Sequence, residues 1–382
     1  MVNSKSFDYI IIGNGLAGLQ LALALSKESA FANKQIALID KSSKSINDKT
    51  WSYWEKGIGK WDAIVKKSWD RALFFSSKKH LTLELKPYKY KTIQALDFYN
   101  NAKSILLENN NFHFIEDEVL TIEDQNKIVV HTNSNNYTTN HVFDSRITED
   151  YFSSLNNYIN IIQHFKGCVI RTNTPIFNSN EFTMMDYRVK DGEQTTFTYV
   201  LPFSETEALI EFTYFTTTVV EEETYDGFIK KYISETLKID DYKILETESG
   251  SIPMTNFPFN NYSTKNITKI GTAGGWVKGS TGYSFKHTEK KVLKIIENLK
   301  QNKKPSKGLF KKRYKFYDTI FLKVLHDDNE KGEWIFEQFY AKNSIDTMFR
   351  FLDEESSLLE ELKIMKSLFS RAFIQAFFKT LK

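Results

Sequence analysis

A chain of 382 residues is longer than one hydrophobic core needs, so we expect two or three domains. With 51 basic and 48 acidic residues the net charge is only +3, which excludes a nucleic-acid partner recruited by overall charge alone. The single cysteine, Cys168, excludes an internal disulfide and a Cys-x-x-Cys redox centre, and it suits the reducing cytoplasm.

The N-terminus does not read as a secretory signal. Lys5 precedes an apolar stretch, but Gly13, Gly15 and Gly18 interrupt it and no small-residue cleavage site follows. No run of about 18 apolar residues occurs anywhere, so a membrane-spanning helix is not expected. We expect a cytoplasmic protein that is soluble or at most bound to a membrane surface.

The first motif is FDYIIIGNGLAG, residues 7–18. Residues 7–12 form an apolar run typical of a buried parallel strand, and Leu16–Ser26 predicts the helix that follows it. The turn between them reads G-x-G-x-x-G. Gly13 would permit the tight turn, Gly15 would let backbone approach a pyrophosphate, and Gly18 would let helix and strand pack closely.

The helix start and the next strand extend this prediction. Leu16 and Ala17 begin the helix, whose free N–H groups would face the phosphates. Residues 35–40 predict a second strand ending at Asp40, about 20 positions after the last glycine, where a carboxylate accepts hydrogen bonds from an adenosine ribose. Lys41 lies beside it. The pattern serves NAD and FAD alike, and a capping role for Asp40 is the alternative.

Two further segments fill out the nucleotide domain. NDKTWSYWE, residues 47–55, predicts a polar-aromatic loop in which Trp51 is a candidate cofactor contact. Residues 112–144 alternate like a small β-meander.

A second glycine-rich stretch favours FAD over NAD. Residues 266–285 (NITKIGTAGGWVKGSTGYSF) predict a strand, a turn containing Gly271, Gly274 and Gly275, and then a helix over 281–299. Two helix starts converging on one ligand suit a long dinucleotide. The alternative is a plain strand-loop-helix connection.

The candidate acid lies in residues 195–216, which predict two strands joined by SETE. Alternation puts Glu211 on one face with Leu209 and Thr213. Apolar surroundings raise a carboxyl pKa, as a general acid requires. The alternative is a solvent-exposed face on which Glu211 only adds polarity. Asp186, in the segment TMMDYRV, is a second carboxyl to consider, and a turn cap is the alternative role for it.

The C-terminal third combines basic and aromatic residues. KQNKKPSKGLFKKRYKFY, residues 300–317, holds eight basic residues and no acidic one. It predicts either a docking patch for an anionic membrane or a solvated start of the helical region that follows. RNA binding is not favoured, because the sequence contains no recognised RNA-binding module.

The sequence shows no motif for a metal site or a serine nucleophile. The seven histidines have no metal-ligand spacing and no G-x-S-x-G occurs, so neither is predicted.

The ordered set FDYIIIGNGLAG, NDKTWSYWE, HVFDSR, MMDYRV, FTYVLPFSETEALIEFT and GTAGGWVKGSTGYSF resembles the bacterial lycopene cyclases, flavoproteins that close ionone rings on carotenoids. The resemblance covers most of the chain in the family's order. It departs at Gly279, where the family commonly has proline. Thr272 stands where flavin hydroxylases carry the acid of a G-D-A motif, which argues against an aromatic hydroxylase.

The resemblance implies an α/β (α+β) fold: a Rossmann-type FAD-binding domain, a mostly antiparallel substrate sheet and a helical C-terminal region. We assign residues 1–60, 88–148 and 262–300 to the FAD-binding domain. Residues 61–87 and 149–261 form the substrate domain, and 301–382 the helical region.

It also implies an isomerase that converts lycopene ends to β-ionone rings, towards β-carotene, with no net redox change. Glu211 would be the principal acid. Asp186, which matches the family's MD pair, would be the second catalytic candidate and would orient Glu211, relay protons or lie near the flavin. FAD would act in its reduced form, and NADPH or another reductant would reduce it. The expected partners are lycopene or another linear carotenoid and the inner face of the membrane, with no nucleic acid. Two alternatives stay open: a flavin-dependent isoprenoid reductase or monooxygenase, and a non-catalytic isoprenoid carrier.

Overall fold

The computed structural model describes residues 5–125 and 127–381. In chain order its strands are β1 (Lys5–Ile12), β2 (Ile36–Asp40), β3 (Thr50–Lys56), β4 (Lys67–Trp69), β5 (Arg71–Phe75), β6 (His80–Glu84), β7 (Tyr88–Gln94), β8 (Phe112–Glu116), β9 (Val119–Asp124), β10 (Ile128–Thr132), β11 (Asn136–Asp144), β12 (Asn160–Arg171), β13 (Glu181–Asp186), β14 (Thr196–Pro202), β15 (Glu207–Thr216), β16 (Lys243–Thr255) and β17 (Ile267–Lys269). Its α-helices are α1 (Leu16–Ser26), α2 (Ala95–Leu107), α3 (Glu149–Ser153), α4 (Glu222–Lys231), α5 (Phe285–Lys300), α6 (Lys312–Asp327), α7 (Gly332–Lys342), α8 (Ile345–Leu352), α9 (Leu358–Ser367) and α10 (Arg371–Leu381).

The first sheet is the Rossmann-type sheet predicted from the N-terminal motif. Strands β8, β2, β1 and β11 run parallel in that order, and β17 pairs with β11 in the same direction. Helices α1, α2 and α5 cover one face, where Ile11 and Leu38 enter their shared core. Because successive side chains alternate, Ile10 and Ile12 enter a second core on the other face.

The second sheet has the order β16-β12-β15-β14-β13-β5-β6, with antiparallel pairs except β13 and β5. Its two faces enter separate cores. Leu209 and Phe215 of β15 pack toward the C-terminal helices, whereas Ile210 and Phe212 pack toward α4. A third, small sheet of β3, β7 and β4 joins the two larger ones.

These elements confirm the predicted fold class, with three local corrections. Residues 47–55 are not a loop throughout, because β3 pairs antiparallel with β7. Strand β8 does not belong to a meander, because it pairs parallel with β2. Helix α5 begins at Phe285 rather than 281, since Gly282 is in the left-handed region at φ 74° and closes a turn onto Lys278.

The predicted domain limits cut one of these sheets. The boundary at residue 60 separates β3 from β4, although both pair with β7. Strands β5 and β6, from the same 61–87 segment, belong to the second sheet. The domain assignment itself stays a prediction.

Candidate active site

Three glycines of the first turn have three different environments. Gly13 is at φ 98°, and an added Cβ would lie 2.0 Å from Ser145 Oγ. A Cβ on Gly18 would lie 2.0 Å from the Gly13 carbonyl oxygen, so this position sets the close approach of helix and strand. A Cβ on Gly15 would have no described atom within 4 Å. The space beside Gly15 is therefore open to a ligand, as a pyrophosphate requires.

The N-terminus of α1 has the electrostatic features of an anion-binding site. Gly15 is the N-cap, no side chain caps the helix, and its first turn has no acidic residue. The buried Asn14 Oδ1 has no hydrogen-bond partner among the described residues. Asp40 supports the turn, because its carboxylate accepts hydrogen bonds from the backbone N–H groups of Asn14 at 2.7 Å and Ser42 at 2.8 Å. These residues fit a dinucleotide phosphate and its ribose.

The second glycine-rich turn meets the first. After β17 the chain makes a 3-10 turn over Gly271–Gly274, with Gly271 at φ 59° and Gly275 at φ 69°. A Cβ on Gly271 would lie 3.1 Å from the Cβ of Ala17, in the first turn of α1. The second glycine turn therefore lies beside the start of α1. The predicted convergence of two helix starts takes a different form, because the element at this contact is the 3-10 turn and α5 begins ten residues after Gly275.

The other predicted cofactor residues lie in different surroundings. Leu16 packs at the edge of the core between the first sheet and its helices. Trp51 packs edge to face on Phe98 with ring centroids 5.3 Å apart, and it lines the cavity described next. Lys41 is largely exposed and forms an ion pair with Glu118 at 3.5 Å. Direct cofactor contacts of these three residues stay predictions.

A cavity of about 750 Å³ reaches the second glycine turn at Thr272. Its wall also includes Trp51 of β3, strands of the second sheet, and the C-terminal helices. Most of the lining is apolar or aromatic, for example Trp54, Phe165, Phe197, Phe215, Tyr283, Phe339 and Phe373. A cavity of this size and chemistry suits a largely hydrocarbon ligand.

Glu211 lies in this wall and is only 9% exposed, so the solvated alternative for its strand face is wrong. Thr213 Oγ1 donates a hydrogen bond to Glu211 Oε1 at 2.8 Å, and no described cation pairs with the carboxylate. Burial, reinforced by the charge of Glu248, raises the pKa of Glu211 to about 8. A protonated carboxyl in an apolar wall is chemically a general acid.

Glu248 on β16 is a second carboxyl that the sequence reasoning missed. Both Glu211 and Glu248 pair with Gly167 of the intervening strand β12, so they occupy the same face. A Cβ on Gly167 would lie 3.1 Å from the Cβ of Glu211. Thr50 Oγ1 donates a hydrogen bond of 2.7 Å to Glu248, whose pKa burial raises to about 7. Alternating acids in β16 resemble a solvated edge strand, so the sequence carries no distinctive signal.

Three buried phenols adjoin the acid. Tyr199 pairs with Glu211 across β14 and β15. Its hydroxyl lies 2.8 Å from that of Tyr90 and 3.1 Å from Ser52 Oγ, and the hydroxyls of Tyr90 and Tyr283 are 2.9 Å apart. Burial raises the pKa of all three phenols far above the ordinary value, so they stay neutral.

Asp186 lies on the opposite face of the sheet from Glu211. It pairs with Thr198, which in turn pairs with Phe212, on the side that packs against α4. Its fully buried carboxylate accepts hydrogen bonds from Arg188 Nε at 2.9 Å and from the Tyr232 hydroxyl at 2.7 Å. The structure therefore does not bring Asp186 together with Glu211. A catalytic role for Asp186 stays a prediction that this position does not support.

The basic segment 300–317 turns its aromatic side chains inward. Tyr314 is fully buried, Phe316 lines the cavity, and Phe310 contacts Lys315, whose Nζ is 3.9 Å from the ring centroid. Part of α6 is already in this segment. The aromatic side chains that were expected to reach a membrane are thus engaged with the protein.

Comparisons with known proteins agree with this architecture. The family model described as "Lycopene cyclase protein" matches residues 8–378. No curated protein sequence matches the chain significantly. A geranylgeranyl bacteriochlorophyll reductase-like protein from Thermoplasma acidophilum superposes with a TM-score of 0.62 at 12% identity, covering 98% of this chain and 99% of that chain.

Two other solved structures have the same fold. A flavoprotein/dehydrogenase from Cytophaga hutchinsonii gives a TM-score of 0.61 at 11% identity, covering 95% of this chain and 100% of that chain. A variant of halogenase PltM, whose structure is a complex with FAD, gives 0.60 at 11% identity and covers 98% and 90%. At these identities the likeness establishes a flavoprotein fold.

Proposed function

The chain belongs to the lycopene cyclase family, and from this premise we propose that it converts the linear ends of lycopene, or of another linear carotenoid, into β-ionone rings. The observation that carries the proposal is the position of Glu211. It is a carboxyl with a raised pKa in the wall of an apolar cavity that reaches the second glycine turn at Thr272. Ring closure needs a proton donor and an apolar site that excludes water, and it transfers no chemical group to or from a second molecule.

The proposed reaction is an isomerisation in which every proton is accounted for. Glu211 transfers its proton to the terminal carbon-carbon double bond, and the neighbouring double bond attacks the resulting cation to close the ring. A different proton then leaves the ring and returns to the pair formed by Glu211 and Glu248. The product has the same atoms as the substrate, and the two carboxyls regain their starting protonation.

The cavity wall supports the cation between these two proton transfers. Water would quench a carbocation, and the apolar lining excludes it. Aromatic faces such as those of Trp54, Phe165 and Phe197 attract positive charge through their negative π-clouds. The neutral phenols of Tyr90 and Tyr199 add oriented dipoles without introducing a nucleophilic phenolate. Preorganised groups of this kind are usually the largest contribution to stabilising a charged intermediate.

FAD is the proposed cofactor, because the residues of both glycine turns fit it. The N–H groups beginning at Gly15 would hold its pyrophosphate, Asp40 its ribose, and the Gly271–Gly275 turn with Trp51 its flavin end. When bound and reduced, the flavin supplies an electron-rich ring that stabilises nearby positive charge. NADPH or another reductant is the proposed electron source. Because the substrate dissolves in lipid, we propose that the protein works at the inner membrane surface.

The pigments of lycopene-accumulating bacterial cells that express this chain test the function. We expect chromatography to show β-carotene or its one-ringed intermediate, and unchanged lycopene with Glu211→Gln. The matched control is Glu207→Gln, at the start of the same strand and in an ion pair with Arg171, which should cyclise normally. Unchanged lycopene from cells that contain folded, flavin-loaded wild-type protein would contradict the proposal and favour a flavin-dependent redox enzyme.

A further inference from the structure

Helices α9 and α10 carry an unusually apolar outer surface, which we call the C-terminal apolar face. Its members recur at helical spacing and are between 39% and 72% exposed: Leu358, Leu362, Met365, Phe369, Ile374, Phe377, Phe378 and Leu381. Single exposed leucines are ordinary, but a contiguous set with several phenylalanines marks an interaction surface.

The opposite sides of the same helices are already packed. Glu361 and Ile364 of α9 and Ala376 of α10 are buried against the body of the protein. Glu361 accepts hydrogen bonds from the Tyr317 hydroxyl at 2.8 Å and from Ser356 Oγ at 3.2 Å. The apolar face is therefore not the core side of a loosely packed helix. It is a second apolar side that points away from the core.

This face is continuous with the mouth of the cavity. Met365, Phe369, Ile374, Phe377 and Phe378 belong to the exposed set and also line the cavity. A hydrocarbon bound to the face would therefore already contact side chains of the cavity wall. A surface made only for a protein partner would not need to open into the substrate cavity.

The charges around the face identify the kind of partner. From residue 362 to the C-terminus the chain has no acidic residue. Its basic residues there include Lys363, Lys366, Arg371 and Lys379, of which only Lys379 forms an ion pair, with Asp327 at 3.1 Å, among the described residues. Apolar stripes flanked by cations match the interface of an anionic bilayer, where each nearby cation contributes about 1 kcal/mol.

We propose that the C-terminal apolar face inserts into the surface of an anionic lipid bilayer and opens the cavity directly into its apolar layer. The helices lie on the membrane and do not cross it: within residues 5–125 and 127–381 no helix is long and apolar enough to span one. The nature of the hydrocarbon that enters rests on the proposed function, but binding to the bilayer does not. The face replaces the 300–317 segment as the docking surface.

Flotation of the full-length, flavin-loaded protein with vesicles of phosphatidylcholine and phosphatidylglycerol tests the proposal. We expect wild-type protein to float with these vesicles, and binding to fall as salt rises. Leu358→Gln/Leu362→Gln should lower the partition coefficient about tenfold or more, because two apolar side chains no longer enter the lipid. Neither residue lines the cavity. The matched control, Leu107→Gln/Leu120→Gln, alters two leucines that are 57% and 54% exposed elsewhere, and it should bind like wild type.

Equal flotation of the two double variants would overturn the proposal, as would equal binding to vesicles of pure phosphatidylcholine. The proposal would also be overturned if wild-type protein did not bind vesicles but formed a dimer that only the Leu358→Gln/Leu362→Gln change dissociated. That result would assign the face to contact with a second copy of the chain. Circular dichroism and thermal midpoints ensure that the variants compared are folded. Cyclisation of lycopene in detergent micelles separates the two proposals: it reports on the chemistry without a bilayer, so either can fail while the other stands.

Discussion

Glu211 and Glu248 lie on the same face of one sheet, on the two strands that flank β12, and both are opposite Gly167. Glycine at this position leaves the space between the two carboxyls free of a side chain. Burial raises both pKa values, and the charge of Glu248 raises that of Glu211 further. Two such carboxyls titrate as a pair rather than independently.

Glu248→Gln tests this pairing through the pH profile. The acid must be protonated, so the rate falls as pH rises through the pKa of Glu211. Without the carboxylate of Glu248 that pKa should decrease, and the alkaline limb of kcat should move down by roughly one pH unit. Glu207→Gln, at the start of β15 and in an ion pair with Arg171, should leave the limb in place. An unchanged limb in Glu248→Gln would show that the two carboxyls act independently.

The stability of the protein should also depend on these two groups. Both folded-state pKa values are raised, from 4.5 to about 8 for Glu211 and to about 7 for Glu248. The folded protein therefore binds more protons than the unfolded chain between these values, and the free energy of unfolding falls as pH rises. We expect urea unfolding of wild type to lose about 2 kcal/mol or more between pH 5 and 8 relative to Glu211→Gln/Glu248→Gln. Parallel pH dependences would contradict the raised values.

Gly15 and Gly18 should respond oppositely to the same added methyl group. Gly15→Ala meets no described atom and should keep the stability of the apoprotein, while weakening FAD binding about tenfold or more, because the methyl group occupies the open space. Gly18→Ala meets the Gly13 carbonyl oxygen and should destabilise the apoprotein by about 1–3 kcal/mol. Flavin fluorescence titration and urea unfolding measure the two effects. Loss of stability in Gly15→Ala with normal FAD affinity would refute the assignment.

Asp186→Asn separates a structural role from a catalytic one. Asp186 is fully buried and holds Arg188 and Tyr232, so the change should cost about 2–4 kcal/mol of stability. The folded fraction should keep a kcat within about threefold of wild type, because the carboxylate lies across the sheet from the cavity. A stable Asp186→Asn protein whose kcat has fallen about a hundredfold would restore the catalytic prediction.

The sequence predicted those features whose causes are local. The glycine turn, the flanking strand and helix, and the face of β15 that carries Glu211 follow from residue spacing within about 20 positions. Strand β3 was missed because its alternation of polar and aromatic residues breaks at Trp54, and its strand character comes from pairing with β7.

The rest of the site depends on contacts between residues that are far apart in the sequence. Glu248 is half-buried opposite Gly167 only because β16 pairs with β12, about 80 residues earlier in the chain. Asp186 was expected near Glu211 because it matches the MD pair of the lycopene cyclases, but it lies on the opposite face of the sheet, where it pairs with Thr198 after a register shift in β13. The apolar residues of α9 and α10 matched ordinary core helices, and only their packing shows that these helices have a second exposed side.

Cyclisation in D₂O tests directly whether Glu211 delivers a proton to lycopene without net oxidation or reduction. Purified flavin-loaded protein is reduced with light under anaerobic conditions and incubated with lycopene in detergent, without NADPH. We expect β-carotene with one solvent-derived deuterium for each ring formed, no net consumption of reducing equivalents, and no product from Glu211→Gln. A product heavier by two hydrogens or by one oxygen, formed in proportion to the reductant consumed, would contradict this expectation.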